Sequence, residues 1–497
     1  MAVPEEIRKV PRPVNTIVEM RVNADGVPRY LVRERKGTVY SDGRSRPVNG
    51  GVIGYIVDGR YVPRPEAGPV LPDEKDMQTW ALERLAVDSS ADVIEDLRRE
   101  YTEKDAEMLY SMAILRIRNP GLKNSRMRRD YEESLLSELY PSLPMSKNGV
   151  SEFLQKIGGA TRRTQRFLRN RVERMKPGAH AAVDGVLVQD TSEVDNLGAI
   201  SRKRRARGGK DILLVYAYDT DERLPVSFQV YEGSLPDSRT YADFIERSDL
   251  RDALLVGDKA FTDNAAKEQF SGNRNLGFLF PIRRNAAAIR RLRLYDYHGS
   301  LNAYPSVTYA VAHDVENGVW YYSYRDADRA AGEERSFLDS LRRSGKGLSP
   351  EKLAAAKARF GTVIYRSNRE LDPEEAYRIY QDRWMLEQMF DLYKNIEEFD
   401  ETRVHSDASV NATALVNFLS TLILSKMISR LMESGVLDDR TLDEVLGILA
   451  KTLRFRDDDG EWTYRALAEK DREVLIGLGL LQASPPKRGR GRPRKNP

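Results

Sequence analysis

The stretch "HAAVDGVLVQD" at residues 180–190 is short, apolar and rich in valine, as expected for a buried β-strand. The runs "DILLVYAYD" (211–219) and "LPVSFQVYEG" (224–233) have the same character. A predicted helix, "SRTYADFIERSD", then leads to "ALLVGDKAF" (253–261) and "LGFLFPIRR" (276–284). Three consecutive strands, a crossover helix and further strands predict a mixed sheet with helices on its faces, which is an α/β fold.

The regions before this sheet differ from it in composition. Residues 1–75 are rich in Gly, Pro, Val and Tyr, which predicts short strands joined by turns. Residues 76–178 have helical periodicity, with an arginine-rich face on the last segment. The short helices around Gly158 and Gly159 fit a helix-turn-helix and a plain helical bundle equally well.

Composition excludes several classes of site. The chain has no cysteine, so disulfides, thiolate zinc sites and cysteine nucleophiles are excluded. Its four histidines are scattered, and it does not open on a signal peptide. The uncharged stretch 409–425 is shorter than the roughly 20 residues of a bilayer span, and we interpret it as a buried helix. We therefore expect a soluble cytoplasmic protein with no membrane partner.

The positive charge of the chain is concentrated in two blocks. The tail 484–497 carries six basic residues and no acids, more than the net charge of +4 of the whole chain. The run "SRKRRARGGK" (201–210) also carries six basic residues and no acids. Blocks of this kind indicate a polyanionic partner and favour nucleic acid, although a solvated surface is the ordinary reading of a charge run. For 201–210, a charged hairpin without a ligand is equally consistent.

Two of the predicted strands end in an aspartate, Asp190 and Asp258. A carboxylate at the carboxyl end of a strand often marks a site, although a single one is more often a turn or cap residue. With Glu387 from a distant segment, three acids could converge. Three carboxylates without histidine or cysteine suit Mg²⁺ or Mn²⁺. Two such ions, roughly 3.5–4 Å apart, support phosphodiester chemistry.

The stretch "YRIYQDRWMLEQMFDLYK" (377–394) predicts a helix with one polar face. At 100° per residue, Tyr380, Arg383, Glu387 and Lys394 fall within an arc of roughly 60°. Taken alone, this is an ordinary solvated face with an i,i+4 ion pair. Beside the two aspartates it predicts that Glu387 is a metal ligand and that the basic residues face a DNA backbone.

These four residues match at every spacing the Y-x2-R-x3-E-x6-K signature of the insertion-sequence-four type of bacterial Asp-Asp-Glu transposases, and residues 180–430 resemble that family. The block "QDTS" around Asp190 resembles the first-aspartate block. The block "GDKAFTDN" around Asp258 resembles the second, with Lys259 where the family usually has arginine. The segment "RVHS" (403–406) resembles the stretch after the third acid.

The resemblance implies an RNase H-like core with a largely β insertion between the second acid and the glutamate. It implies that Asp190, Asp258 and Glu387 are the catalytic residues and hold Mg²⁺, with Mn²⁺ as a substitute. It also implies cleavage of double-stranded DNA at terminal inverted repeats and joining of the 3′-OH ends to target DNA, by a homodimer bound to both ends. The signature residues that would bind the DNA are Tyr380, Arg383 and Lys394.

Two further elements concern DNA. Some relatives flip a base onto an aromatic residue of the insertion; Trp320 is a candidate, and a buried strand aromatic is the stronger interpretation. The tail motif "RGRP" resembles an AT-hook, whose two guanidinium groups would lie in a narrow A·T minor groove. A solubilising tail is the alternative. The residues of this motif are Arg490, Gly491, Arg492 and Pro493.

The chain is thus expected to be a nucleoid-associated DNA transposase. The alternatives are a metal-dependent nuclease on the same scaffold and a domesticated DNA-binding protein without catalysis. The expected regions are the β-rich N-terminal region 1–75, the helical DNA-end-binding region 76–178, the first part of the RNase H-like core 179–284, the insertion 285–371, the completion of the core with the C-terminal helices 372–480, and the disordered AT-hook-like tail 481–497.

Overall fold

The computed structural model describes most of the chain. The described residues are 3–22, 28–41, 44–57, 59–63, 77–190, 197–199, 210–234, 237–258, 270, 274–344, 349–383, 385, 401–402, 406–456, 461–465 and 467–482. The chain divides into two compact units, Met1–Asp76 and Met77–Pro497.

The first unit is an antiparallel sheet of four strands in which each strand pairs with the next along the chain. Val18, Val32 and Ile56, from three of these strands, form its small core together with Val10. Its elements are α1 (Glu5–Arg8), β1 (Thr16–Val22), β2 (Pro28–Ser41), β3 (Arg44–Val57) and β4 (Arg60–Pro63).

The second unit contains the remaining helices and strands. Its helices are α2 (Ala81–Ser89), α3 (Ala91–Glu100), α4 (Glu103–Arg118), α5 (Met127–Glu132), α6 (Leu136–Leu139), α7 (Lys147–Gly159), α8 (Thr161–Val172), α9 (Asp237–Ser248), α10 (Ala287–Arg291), α11 (Ala327–Ser344), α12 (Pro350–Lys357), α13 (Pro373–Asp382), α14 (Asp407–Glu433), α15 (Leu442–Lys451) and α16 (Glu469–Gly477). Its strands are β5 (Met77–Thr79), β6 (His180–Asp190), β7 (Lys210–Asp219), β8 (Leu224–Glu232), β9 (Leu254–Gly257), β10 (Gly277–Pro281), β11 (Gly299–Ser300), β12 (Val307–Asp314), β13 (Val319–Asp326), β14 (Thr362–Ser367), β15 (Glu401–Thr402), β16 (Leu453–Arg456) and β17 (Trp462–Tyr464).

Helix α14 lies at the centre of the helical part and packs against α4, α7 and β8. By length and composition alone it is apolar enough to span a membrane, but 78% of its most apolar window is buried inside the protein. This confirms the buried helix predicted for residues 409–425. Helix α7 approaches its start closely, because a Cβ on Gly158 would lie 1.6 Å from the carbonyl oxygen of Ala408. Only glycine permits that approach.

The strands of the predicted sheet are all present. β6, β7 and β8 pair as antiparallel neighbours, β9 is parallel to β6, and β10 is parallel to β9. The resulting order β8-β7-β6-β9-β10, with α9 as the crossover, is the arrangement of RNase H-like folds and confirms the predicted fold class. Alternate residues of β6 face opposite layers: Ala182 packs towards α14, and Val183 packs towards α9.

The segment between β10 and α13 extends the same sheet. β14 pairs antiparallel with β10, and β13, β12 and β11 follow outward in that order. Helices α10, α11 and α12 belong to this segment. The core sheet and the insertion therefore share one continuous hydrogen-bonded layer.

A buried ionic cluster holds the helical region together. Asp96 on α3 is fully buried and accepts hydrogen bonds from Arg171 and Arg174 at the end of α8. Arg171 also donates to Asp92, which Lys426 of α14 contacts at 3.0 Å. These ion pairs join three helices through charges that would be costly to bury without partners.

Candidate active site

The candidate site lies where β9 ends beside β6. Asp258 is the residue directly after β9, and it is exposed. The parallel register pairs Val183 of β6 with Gly257 of β9. One residue further along each strand, Asp184 therefore lies beside Asp258, about 4.8 Å away across the sheet. Matching positions on neighbouring strands face the same side, so the two carboxylates share one face.

The structure does not bring Asp190 to this place. Asp190 is the last residue of β6, and its backbone pairs with Lys210 on β7 and Thr402 on β15. It lies six residues beyond Asp184, roughly 20 Å along the strand. Ligands of two metal ions roughly 4 Å apart cannot be that far from each other. The neighbour of Asp258 on β6 is therefore Asp184 and not Asp190, because β6 continues for several residues beyond the end of β9.

Helix α13 brings two of the signature residues, Tyr380 and the following Arg383, to the same face. It begins after Asp372, whose side chain accepts hydrogen bonds from the backbone N–H groups of Glu374 and Glu375 at 2.9 and 3.1 Å. Pro373 at the first helical position has a φ angle that suits a helix start. Ile379 is fully buried in the cluster that covers β9. The helix therefore lies over the face that carries the two aspartates.

The contacts of Arg383 and Tyr380 join the helix to the sheet. The Nη1 atom of Arg383 donates to Oδ2 of Asp184 at 3.2 Å, and the guanidinium carbon lies 5.5 Å from the centre of the Tyr380 ring. Tyr380 stacks on Tyr365 of β14, with ring centres 4.2 Å apart. The backbone N–H of Gly185 donates to Oδ1 of Asp184 at 2.8 Å. The carboxylate of Asp184 is thus fixed from two sides.

Tyr380 is close enough to both carboxylates for their charges to affect it. Burial is the main cause that raises the pKa of its phenol. The positive charge of Arg383 lowers this pKa, while the negative charges of Asp258 and Asp184 raise it further. Tyr380 therefore keeps its proton at neutral pH, and its hydroxyl group remains a hydrogen-bond donor beside the acidic pair.

Several predicted site residues lie outside the described residues. These are Glu387, Lys394 and the tail residues Arg490, Gly491, Arg492 and Pro493. Trp320 is described: it is half-buried on β13, and its ring stacks on His313 of β12 with centres 4.3 Å apart. One face of its ring is thus already covered by a side chain.

The donor atoms of the pair fit a hard divalent cation. Within the described part of the chain, no group of three or more His, Cys, Asp or Glu side chains could hold a metal ion. Asp184 and Asp258 provide two neighbouring carboxylates, which are the oxygen ligands that Mg²⁺ and Mn²⁺ prefer. A complete site needs at least one further acid, and Glu387 lies outside the described residues.

Sequence reasoning missed Asp184, although a signal for it was present. His180 and Leu254, the first residues of β6 and β9, are paired in the sheet. Asp184 and Asp258 are each the fifth residue counted from these starts. Aligning the two strands at their beginnings, rather than at their ends, would have predicted that Asp184 and Asp258 are neighbours.

An RNase H-like sheet with paired carboxylates on neighbouring parallel strands defines a class of metal-dependent enzymes that act on phosphodiester bonds. Residues 179–423 match the family model of the transposase DDE domain. This match, which covers just under half of the chain, makes residues 179–423 a transposase DDE domain, the domain of enzymes that use divalent metal ions. The match includes both described aspartates and α13.

Two solved structures are similar to the chain. The piggyBac transposase synaptic complex with hairpin DNA is 11% identical in sequence and has a TM-score of 0.39, with 70% of each chain covered. The Mos1 transposase paired-end complex with the left transposon end is 15% identical and has a TM-score of 0.15, with 32% of this chain and 59% of the other covered. No curated protein matches the chain at a significant level. The similarity to DDE transposases rests on the domain match.

Proposed function

We propose that this transposase cuts double-stranded DNA at terminal inverted repeats and joins the freed 3′-OH ends to target DNA. The observation that supports this most directly is the pair formed by Asp184 and Asp258, with Arg383 bound to it, inside a transposase DDE domain. Adjacent carboxylates on parallel strands of this fold suit metal-assisted displacement at phosphorus.

We assign the acidic set to Asp184, Asp258 and Glu387, which would hold two Mg²⁺ ions, with Mn²⁺ as a substitute. When bound, such ions activate the attacking oxygen and stabilise the leaving oxygen. Arg383 orients Asp184 through the 3.2 Å contact. The neutral hydroxyl of Tyr380 can donate a hydrogen bond to a phosphate oxygen. On the predicted polar face, Lys394 adds a positive charge for the DNA backbone.

The finer features of the resemblance belong to the same proposal. The signature of Tyr380, Arg383, Glu387 and Lys394 supports membership of the insertion-sequence-four type. A homodimer would hold both element ends, in the cytoplasm and associated with the nucleoid. The AT-hook-like residues 490–493 would add minor-groove contacts at A·T-rich DNA. Trp320 would receive a flipped base if His313 moves off its ring.

A plasmid cleavage assay tests the proposal. The substrate is the DNA that flanks the gene, incubated with the full chain and either Mg²⁺ or EDTA. We expect metal-dependent breaks at the inverted repeats, followed by joined products with a target plasmid, and neither from Glu387→Gln. Breaks without joined products would indicate a nuclease. Binding of the ends without any break would contradict the proposed catalysis.

A further inference from the structure

A third block of positive charge follows β10 and was not part of the predicted interfaces. Residues 283–293, which we call the arginine segment, contain five arginines and no acidic residue. These residues are Arg283, Arg284, Arg290, Arg291 and Arg293. Such a density of one charge favours a polyanion only where the charges are not already neutralised by the protein.

The sheet places the start of this segment at the catalytic edge. β10 runs parallel to β9, and Leu279 pairs with Val256. Two residues further along each strand, Pro281 ends β10 at the level of Asp258. Arg283 follows two residues later, a step of roughly 7 Å along an extended chain. The arginine segment therefore begins where the strand next to the catalytic aspartate leaves the sheet.

Two of the five arginines are neutralised by acids of the insertion. Arg284 makes two hydrogen bonds to the carboxylate of Glu333 on α11, at 2.8 and 2.9 Å. Arg291 forms an ion pair with Asp314 of β12. Paired in this way, both arginines attach the segment to the insertion and add little to its external charge.

The other three arginines have a different environment. Arg283, Arg290 and Arg293 are exposed, and within the described part of the chain none of them forms an ion pair. Three positive charges on an ordered segment therefore face solvent. Packing holds the segment in place, because Ile289 and Leu294 are buried against Ile364 of β14.

The backbone at Arg293 adds a second, independent observation. Arg293 has a φ of +52°, which is the left-handed region that favours glycine. It closes α10 in a Schellman-type turn, in which the N–H of Leu294 donates to the carbonyl of Ile289 at 3.0 Å. Glycine would adopt this conformation without strain, so an arginine here is not explained by the turn itself.

We propose that the arginine segment binds the phosphate backbone of double-stranded DNA, on the sheet face opposite the two aspartates. Arg284 and Arg291 anchor the segment, and Arg283, Arg290 and Arg293 contact phosphates. The identity of DNA as the polyanion rests on the proposed function. The contact itself is a property of exposed, unpaired guanidinium groups, which bind phosphate oxygens in bidentate geometry.

The first test measures the salt dependence of DNA binding with the full chain. The probe is a linear duplex that carries the flanking inverted repeat, in EDTA, so that no cleavage occurs. R283Q/R290Q/R293Q is compared with the charge-matched control R335Q/R342Q/R343Q, which removes three exposed arginines from α11. We expect the slope of log K against log salt to become shallower by about 2 to 3 in the first variant, at about 0.9 per phosphate contact.

An equal change in both variants, or no change in the first, would overturn the proposal. Binding in EDTA does not depend on catalysis, so the two proposals fail separately. If the wild type never cuts but the slope changes as expected, the proposed catalysis is wrong and the DNA contact stands. If the wild type cuts and the slope is unchanged, the contact is wrong.

Arg293→Gly separates a binding role from a structural one. Because glycine suits the left-handed backbone, the thermal midpoint should be equal to or higher than that of the wild type. DNA binding should nevertheless weaken, with a slope shallower by about 0.9. Unchanged binding would remove Arg293 from the interface.

The absence of cysteine from the chain allows the contact to be mapped. Arg290→Cys gives a single thiol, which can be tested for disulfide cross-linking to duplexes that carry a tethered thiol at successive phosphates. We expect cross-links at a narrow set of neighbouring phosphates, and none there from Arg343→Cys on α11. Cross-links that are equally frequent at all phosphates in both variants would contradict a fixed contact.

Discussion

The edge of the sheet and the helical region both place aspartates next to arginines, but with different surroundings. In the helical region Asp96 is fully buried, and Arg171, Arg174 and Arg99 all contact it. At the sheet edge Arg383 contacts Asp184 at 3.2 Å, and the neighbouring Asp258 is exposed. The ion pairs look alike in distance, so proximity of an acid and an arginine does not identify a site.

The difference lies in what the acid can still bind. A buried carboxylate surrounded by guanidinium groups has its charge compensated within the protein, and its role is to join helices. A carboxylate that solvent can reach, beside a second acid, retains lone pairs for a metal ion. The comparison predicts that mutations at the sheet edge reduce activity without unfolding, and that mutations in the helical cluster do the opposite.

Substitution of the acidic pair should give the largest effect. Asp184→Asn and Asp258→Asn are each expected to reduce cleavage more than 100-fold, since even outer-shell partners of a metal are worth about 10–100-fold. The thermal midpoint should change little, because Asp258 is exposed. Cleavage rates and thermal denaturation, measured on the same preparations, check this.

Asp190→Asn is the matched control for that experiment. Because Asp190 lies roughly 20 Å along β6 from Asp184, its substitution should leave cleavage within a few-fold of the wild type. If Asp190→Asn abolishes cleavage while Asp184→Asn retains it, the assignment of the acidic pair from the strand register is wrong.

Asp96→Ala should have the opposite phenotype. Removing this acid leaves Arg171 buried with fewer partners, which costs about 3–5 kcal/mol in comparable buried pairs. We expect a clearly lower thermal midpoint and, well below it, nearly normal cleavage per folded molecule. Loss of cleavage in a sample that remains fully folded would break the distinction between the two regions.

Substitution of Arg383 should reduce cleavage less than substitution of the acidic pair, because Arg383 acts through Asp184. Arg383→Gln removes the contact that orients the carboxylate and is expected to reduce cleavage about 10–100-fold. Addition of Mn²⁺ at high concentration should recover part of the loss if the defect is in metal affinity. Arg383→Lys keeps the charge without the planar guanidinium group and should be intermediate. An unchanged metal dependence would contradict this positioning role.

Substitution of Glu333 should have the smallest effect of these variants. Its effect on the thermal midpoint should depend on pH in a direction that the pKa of Glu333 defines. Burial opposes its ionisation, but hydrogen bonds from Arg284, the N–H of Gly361 and Arg329 lower the pKa of this carboxyl to about 2. A lowered pKa stabilises the fold above the ordinary value near 4.5, and this contribution is lost as the pH falls towards 2. The difference in thermal midpoint between wild type and Glu333→Gln should therefore be largest above pH 5 and disappear near pH 2. A difference that grows on acidification would contradict the anchoring of the arginine segment by this pair.

Much of the fold and part of the site could be predicted from the sequence. The apolar runs predicted the five core strands, and their order with the crossover helix predicted the α/β class. The spacing on one helix face predicted that Tyr380 and Arg383 lie on the same side, and the two side chains do contact each other, close to Asp258. These features are local: they depend on periodicity within a segment, which the segment itself contains.

Only the tertiary structure decided which acid joins Asp258. The end of β6 suggested Asp190, whereas the register with β9 selects Asp184, because β9 ends while β6 continues to pair with β7 and β15. Likewise, the sequence alone does not distinguish the five arginines that follow β10. The fold separates them, because Glu333 on α11 and Asp314 on β12 neutralise two of the arginines, while the other three stay exposed. Register and charge pairing are set by partners distant in the chain, so the segment that contains a residue does not determine them.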